Sequence, residues 1–379
     1  LYEAYRLGGL EGLKVLRCAY FLFVVGVFCA YFYRKVPFPL LMALAVCLAN
    51  GLSTRHFLRP ELLNFLFLQV LLILLLRYEK SGEHRLLFVL PLLGALWFNL
   101  HLGACIYGLT LLGIFLLSSL VSALVSRVYG PAVEVPGHWR RSAALGLALA
   151  AFAAAFLFTP LGWDGLVSQW KIFFSPDDSR LFYATLKYIG ESQPPRIFRW
   201  GIMWFWGLAV LGVVYLFLNK KRSWSRFLLY LVPLVMFLFM GRNSGFFALA
   251  CAYMVAASAE DMGAAGAVKP AMWKRAAGWG MVLGLLAVMT YLMWGKAVMK
   301  VSNNGRLERA ISRDLEDYHL AEGVDFLKEN GITGPVFNTN ILTGGYLLWA
   351  GYPDLRPFQD GRSIDFRRTI ESQAVQAKP

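Results

Sequence analysis

Eight apolar runs make up nearly half of this chain, at residues 12–32, 36–52, 61–76, 86–124, 142–160, 201–218, 227–259 and 277–294. Crossing a hydrocarbon core of about 30 Å takes about 20 apolar residues as a helix. A chain built of such runs must satisfy its backbone polar groups within each segment, which a helix does and an open strand does not. Two of the runs are too long for one crossing. The first is interrupted by Asn99-Leu100-His101-Leu102-Gly103 and the second by Gly241-Arg242-Asn243-Ser244-Gly245, so each reads as a helical hairpin. The sequence therefore predicts an all-α polytopic transmembrane bundle of about ten spans.

Composition supports that class. Hydrophobic residues make up 58% and charged residues 16% of the chain, with a mean hydropathy of +0.53; soluble domains carry about 25% charged residues. Lys and Arg number 37 against 23 Asp and Glu. That excess does not point to nucleic acid, because the cations sit in short connections rather than along one face. Fifteen of them cluster at 34–35, 77–85, 127–141, 220–226 and 269–275, on alternate connections. Cytoplasmic loops collect Lys and Arg, which assigns these connections to the cytoplasm and the intervening ones to the outside of a plasma (inner) membrane. Leu1, the loop of Arg55 to Arg59, the turn of Asn99 to His101, residues 161–199, Arg242 and the C-terminal region then lie outside.

Four parts follow along the chain. Residues 1–12 read as the end of an outer loop and 13–298 as the transmembrane domain. Within it, the outer segment 161–199 carries Trp163, Trp170, Phe173, Phe174, Phe182 and Tyr183 among polar residues. That pattern suits a helix lying in the membrane interface, or an ordinary folded loop. After Lys300 the composition becomes that of a soluble domain, and 299–379 reads as a small extracytoplasmic α/β domain. There an amphipathic helix is expected over 317–330 with Gly331 as its stop, a strand from Val336-Phe337-Asn338, and a turn at Thr343-Gly344-Gly345. One helix and a strand or two cannot bury a core. With a first residue of Leu and an end in Lys-Pro, the sequence is expected to be part of a longer product.

Polar side chains within the apolar zone are the candidate functional residues, since a cation at membrane depth costs roughly 2.5–3.5 kcal/mol on insertion scales. Arg55, His56 and Arg59 cluster beside Pro60, either as an interfacial anchor or as a binder of lipid phosphate. Arg242 follows only 14 residues of helix from 227 to 240, about 21 Å at 1.5 Å per residue. Its guanidinium should therefore sit below the outer surface, paired with a carboxylate or headgroup or gripping a phosphate within a cavity. Asn243 beside it, with Asn99 and His101, could contact a sugar or acceptor; a lone His in such a run could equally be a hydrogen-bonded structural residue. Asp360 and Arg362 flank Gly361, a pattern for a tight turn closed by an ion pair. The five cysteines are scattered without metal-ligand spacing, and no glycine-rich phosphate loop, zinc set or serine nucleophile elbow is present.

Several short motifs share a pattern. They are Arg59-Pro60 leading to Phe65-Leu66-Phe67, and Pro91-Leu92 leading to Leu96-Trp97-Phe98-Asn99-Leu100-His101. Next come Arg242-Asn243 before Phe246-Phe247-Ala248, and Gly344-Gly345-Tyr346-Leu347-Leu348-Trp349 with Asp360-Gly361-Arg362. From about Leu1 to Arg362 the chain resembles a family of bacterial and archaeal membrane proteins similar to the C-type glycosyltransferase (GT-C) superfamily, which includes protein mannosyltransferases and oligosaccharyltransferases. The resemblance implies a polyprenyl-phosphate-linked sugar donor and an active site on the outer face. It also implies an inverting transfer in which a carboxylate handles the acceptor while arginines stabilise the departing lipid phosphate. Arg242 with Arg55, His56 and Arg59 would take the phosphate role.

The superfamily's acidic motif lies in its first outer loop, which here would precede Leu1. Glu3 and Glu11 are acids near that place, but neither is assigned as base. Some members hold Mg or Mn through carboxylates, and this sequence shows no set sufficient for one. Two other classes remain open. One is a non-catalytic glycolipid carrier or assembly component of the same fold. The other is a secondary transporter, which should show inverted repeats, whereas the flanks of the two broken hairpins do not look alike.

Overall fold

The computed structural model describes residues 2–53, 63–101, 103, 105–129, 138–165, 167, 171, 175, 193–195, 203–219, 223–263, 320–338 and 341–358. The chain divides into two compact units. One comprises Leu1–Val167 and Glu191–Leu286, the other Ser168–Gly190 and Ala287–Pro379.

The first unit is helical throughout its described length. Helix α1 (Tyr2–Phe32) is broken at Gly8-Gly9, where Gly9 takes a positive φ of 55° that a side chain would resist. It is followed by α2 (Phe38–Ser53) and α3 (Leu63–Ser81). A 3-10 segment, His84–Val89, leads into α4 (Leu90–Leu100), and then come α5 (Cys105–Tyr129) and α6 (His138–Ala154), the latter continued by a 3-10 turn at Ala155–Phe158. Last are α7 (Met203–Leu218), α8 (Trp224–Phe239), a 3-10 turn Gly241–Asn243 and α9 (Ser244–Gly263). Both long apolar runs break where the polar residues interrupt them, between α4 and α5 and between α8 and α9. The run expected to end at Leu76 instead continues to Ser81, because Glu79 and Lys80 find partners on neighbouring helices.

Helix α9 is the axis of this unit. Every residue from Ser244 to Ala259 is buried, on all faces. A helix apolar all round has no preferred outer face and is stable only when surrounded. Here α2, α3, α7 and α8 pack against it, and its many small residues let them come close. Gly51 of α2 lies against Ala248, Gly245 against the ring of Phe65, and Gly212 of α7 against Cys251 and the ring of Tyr230. Between α9 and α3 runs a polar tie. The Tyr253 hydroxyl donates to Gln69 Oε1 at 2.8 Å, and Gln69 Nε2 donates to the Val24 carbonyl of α1 at 2.9 Å. Gln69 is fully buried, so these bonds remove the cost of enclosing its amide.

At the end of the unit where α3 and α9 finish and α8 begins, ion pairs join all three. Arg226, 4% exposed, reaches Glu79 at 2.7 Å and Asp261 at 3.2 Å; Lys80 reaches Glu260 at 2.8 Å and Asp261 at 3.6 Å. Nearby, the Lys35 ammonium lies 3.6 Å from the ring centroid of Tyr31. Loss of solvent there lowers its pKa, with Lys80 and Arg77 adding to the effect and Glu260 opposing it.

The outward surface is apolar. Phe217 is 85% exposed, Phe88 80%, Phe158 77% and Leu147 73%. Two segments, Ile106–Val125 and Trp139–Phe158, are long and apolar enough to cross a membrane, and only 39% and 33% of their apolar windows are buried. Cys18–Phe32, Phe38–Leu52, His84–Leu100, Met203–Leu218 and Trp224–Phe239 are shorter apolar helices. The helical class expected from sequence thus holds, while the described helices long enough to span are fewer than the expected number. The run at 277–294 and most of 161–199 lie outside the described residues.

In the second unit, α10 (Leu320–Glu329) precedes β1 (Gly334–Val336), α11 (Ile341–Gly351) and β2 (Leu355–Pro357), and the two strands pair in parallel. Val324, Leu347 and Leu355 form its small core, with Leu327, Val336, Tyr346 and Ala350 packed around them. Gly331 ends α10 with φ of 64°, as its position predicts. The strand begins two residues earlier than expected. The turn expected at Thr343-Gly344-Gly345 is instead the interior of α11: packing of this apolar segment against α10 and β2 outweighs the low helix propensity of two glycines.

Two substitutions separate packing constraint from mere composition. Gly51→Ala should lower stability by about 1–3 kcal/mol, because its Cβ would overlap Ala248. Gly113→Ala meets nothing within 4 Å and should be neutral or stabilising by up to about 1 kcal/mol. Thermal unfolding in detergent reads both. Arg226→Met, which leaves two carboxylates without their shared cation, should cost about 3–5 kcal/mol by the same measurement.

Candidate functional site at one end of the helical unit

The opposite end of the unit is where α3 begins, α4 and α5 meet, and α8 turns into α9. A chain of hydrogen bonds fixes it. The indole of Trp97, fully buried on α4, donates to Asn64 Oδ1 at 2.8 Å, and Asn64 Nδ2 approaches His101 Nδ1 at 3.3 Å. An indole nitrogen only donates, so the Asn64 oxygen must face Trp97 and its amide hydrogens must face His101. His101 Nδ1 is then the acceptor, and the neutral imidazole carries its proton on Nε2. The ring of Trp97 is itself held, stacked on Phe67 with centroids 5.4 Å apart and edge-on to Phe152 at 6.3 Å. His101 caps α4 through its backbone, its N–H donating to the Trp97 carbonyl at 2.9 Å.

A second set holds the turn that carries Arg242. Asn243, 6% exposed, donates from Nδ2 to the Met236 carbonyl at 2.7 Å, which caps α8, and accepts the Tyr107 hydroxyl at Oδ1 at 2.7 Å. The Gly241 N–H donates to the Gln193 carbonyl at 2.9 Å, tying the turn to the segment before α7. The Tyr107 ring lies 4.9 Å from that of Phe246. Arg242 is thereby fixed on both sides and is half-buried. The two sets are neighbours, since Phe65, adjacent to Asn64, packs on Gly245, two residues from Asn243.

No protein-family model, curated protein or solved structure matches this chain.

The structure therefore brings His101, Arg242 and Asn243 to one end of one unit. Asn243 turns its amide inward on both sides, so it positions the turn. Asn99 is exposed, and its Nδ2 donates to the carbonyls of Ala95 at 2.8 Å and Phe158 at 3.3 Å, joining α4 to the end of α6. Arg55, His56, Arg59, Asp360 and Arg362 lie outside the described residues. Glu3 pairs with Arg6 at 2.9 Å on the surface. Among the described residues, no three His, Cys, Asp or Glu side chains converge to hold a metal ion.

Sequence reasoning passed over Asn64, Trp97 and Tyr107. The available signal was Asn64 itself, a polar residue inside an apolar run, for which a hydrogen-bonded partner is the default expectation. The arrangement gathers a guanidinium and an imidazole at one end of the unit on a scaffold of neutral amides and rings, and both are side-chain types that donate to anionic oxygen.

Asn64→Leu tests the tautomer assignment. It should leave the Trp97 indole N–H without its acceptor, lower stability by about 1–3 kcal/mol, and release His101 to exchange between tautomers. Nitrogen-15 spectra of labelled histidine should show an unprotonated Nδ1 in the wild type and an averaged ring in the variant; a protonated Nδ1 in the wild type would refute the assignment.

Proposed function

We propose that this chain is a multi-pass protein of the plasma (inner) membrane, and that its outer end handles a lipid-linked phosphate as a glycosyltransferase of the C type. The reading of a membrane solvent is supported by the outward Phe and Leu side chains, since soluble monomers rarely expose large contiguous apolar patches. Orientation is supported by cations of the described connections, Lys35, Lys80 and Arg141, which lie at the end where Arg226 is paired. The observation that carries the function is that both polar breaks in the long apolar runs meet at the other end, with Arg242 held half-buried in one and His101 in the other.

In the reaction, the bond between the sugar's anomeric carbon and the donor phosphate breaks while an acceptor oxygen forms its bond from the opposite face. The acceptor's proton passes to a carboxylate, a role that the superfamily this chain resembles gives to an acidic motif in an outer loop. Negative charge grows on the departing polyprenyl phosphate. A guanidinium fixed beforehand stabilises that charge more in the transition state than in the bound donor. Arg242 fills this role, joined by Arg55, His56 or Arg59 if their loop folds over the same end. His101 brings its imidazole to the same end, while Asn64, Tyr107 and Asn243 keep the two segments in place.

A second reading has a specific observation in its favour. Three of the described acids of the first unit, Glu79, Glu260 and Asp261, gather at the ion-paired end. A chain binding a lipid phosphate without a carboxylate beside it would be a glycolipid carrier or assembly component.

Membranes carrying the complete protein, incubated with labelled polyprenyl-phosphate sugars, distinguish the two. The wild type should transfer the sugar, and Arg242→Ala should lose about 100-fold or more in rate while still inserting. Equal transfer by both would remove Arg242 from the mechanism. No turnover with any donor, together with retained donor binding, would establish the carrier.

A further inference from the structure

The end of the unit that holds the ion pairs also contains a cavity of about 300 Å³, enclosed by α3, α5, α6 and the start of α8. That volume is at the lower bound of small-ligand sites. Its lining is unusual for a bundle otherwise apolar inside. Ser118 and Ser122 stand one turn apart on α5, Tyr78 and Glu79 close it from α3, and Ser223 from the head of α8. Arg141 of α6 supplies a guanidinium.

The charges are arranged asymmetrically. Glu79 is already neutralised, since Arg226 binds its Oε2 at 2.7 Å while its Oε1 accepts from Ser225 and from Ser223 at 3.4 Å. Arg141, in contrast, forms no ion pair with any described residue. Its position is defined all the same. Gly82, which ends α3 with φ of 70°, has no side chain, and a Cβ there would stand 3.0 Å from Arg141 Nη2. The guanidinium thus passes over a backbone shaped to admit it. A planar cation without a counter-ion among the described residues, facing hydroxyls and an already paired carboxylate, matches one ligand chemistry. The fork takes a phosphate, and the hydroxyls and carboxylate oxygens take the hydrogens of neighbouring alcohol groups.

We propose that this cavity binds a phosphate ester bearing free hydroxyls, as in a phosphoglycerol headgroup or soluble glycerol phosphate. The lipid source rests on the membrane reading above, in which this end faces the cytoplasmic leaflet with its anionic lipids. Trp139 and Trp224, 53% and 44% exposed at this end, suit the level of headgroups. The site is independent of the transfer reaction at the other end, because it shares no residue with it.

The test uses the purified full protein in detergent, with phosphatidylglycerol, phosphatidylcholine and glycerol 3-phosphate as probes, read by native mass spectrometry and thermal shift. Phosphatidylglycerol should bind the wild type and raise its unfolding temperature, and phosphatidylcholine should do neither. Arg141→Gln should weaken phosphatidylglycerol binding about tenfold or more. Ser122→Leu, which fills the cavity and leaves the charge, should weaken it as well, so that a misfolded Arg141 variant does not decide the matter alone. Displacement of the lipid by glycerol 3-phosphate would support the site with a soluble ester as its ligand, and failure to displace would support the lipid. Equal phosphatidylglycerol binding by the wild type and both variants, or equal binding of both lipids, would overturn the proposal. Sugar transfer by Arg141→Gln should stay at the wild-type rate, which separates failure here from failure of the proposed function.

Discussion

Helix α9 is enclosed on every face, and that enclosure dictates most of the first unit. Sixteen residues from Ser244 to Ala259 make no outward surface, so surrounding helices must meet it at short range. Glycine and alanine set that range: where Gly51, Gly212 and Gly245 lie, the facing side chain occupies the space a Cβ would need. In a lipid solvent the apolar side chains gain little by leaving the surroundings, and close packing of small residues becomes the main source of helix association. The outer faces of the surrounding helices are then free to be apolar, as Phe217 of α7 and Phe239 of α8 are.

Polar groups inside such a bundle register the helices against one another. Gln69 joins α1, α3 and α9 through two hydrogen bonds, and Arg226 joins α3, α8 and α9 through two carboxylates. Each link is directional, unlike the apolar contacts beside it. A shift of α3 by one turn, about 5.4 Å, would leave Gln69 and Glu79 without partners at the same time. Burying a charge is tolerable only with its partners in place, so the ion pairs select one register from the several that small-residue packing alone would permit.

How much of this could be read from sequence depends on the kind of feature. The helical class and both hairpin breaks were legible, because hydrophobic runs and their polar interruptions act locally. Gly331 as a helix stop was legible for the same reason. The ends of α3 were not: Arg77, Glu79 and Lys80 look like a loop until Arg226 and Asp261, far along the chain, supply counter-charges. Gly344 and Gly345 read as a turn because propensity is local, whereas their helix is held by Leu347 packing on Leu355 and Val324. In the candidate site, Arg242 and His101 stood out as polar residues in apolar runs. Their supports, Trp97 and Tyr107, did not, since an aromatic residue in such a run looks like any other core residue until its polar atom is seen to find a partner.

The two ends of the unit solve the same problem in opposite ways, and the difference bears on function. At one end Arg226 and Lys80 meet carboxylates within the protein and lock the helices together. At the other, the turn bearing Arg242 is fixed by a neutral amide, a hydroxyl and backbone carbonyls, and His101 by another neutral amide. Neutral supports hold geometry without altering the sign of the potential. In the transfer proposed above, a turn fixed in advance lets its side chain meet charge on the departing phosphate without reorganising.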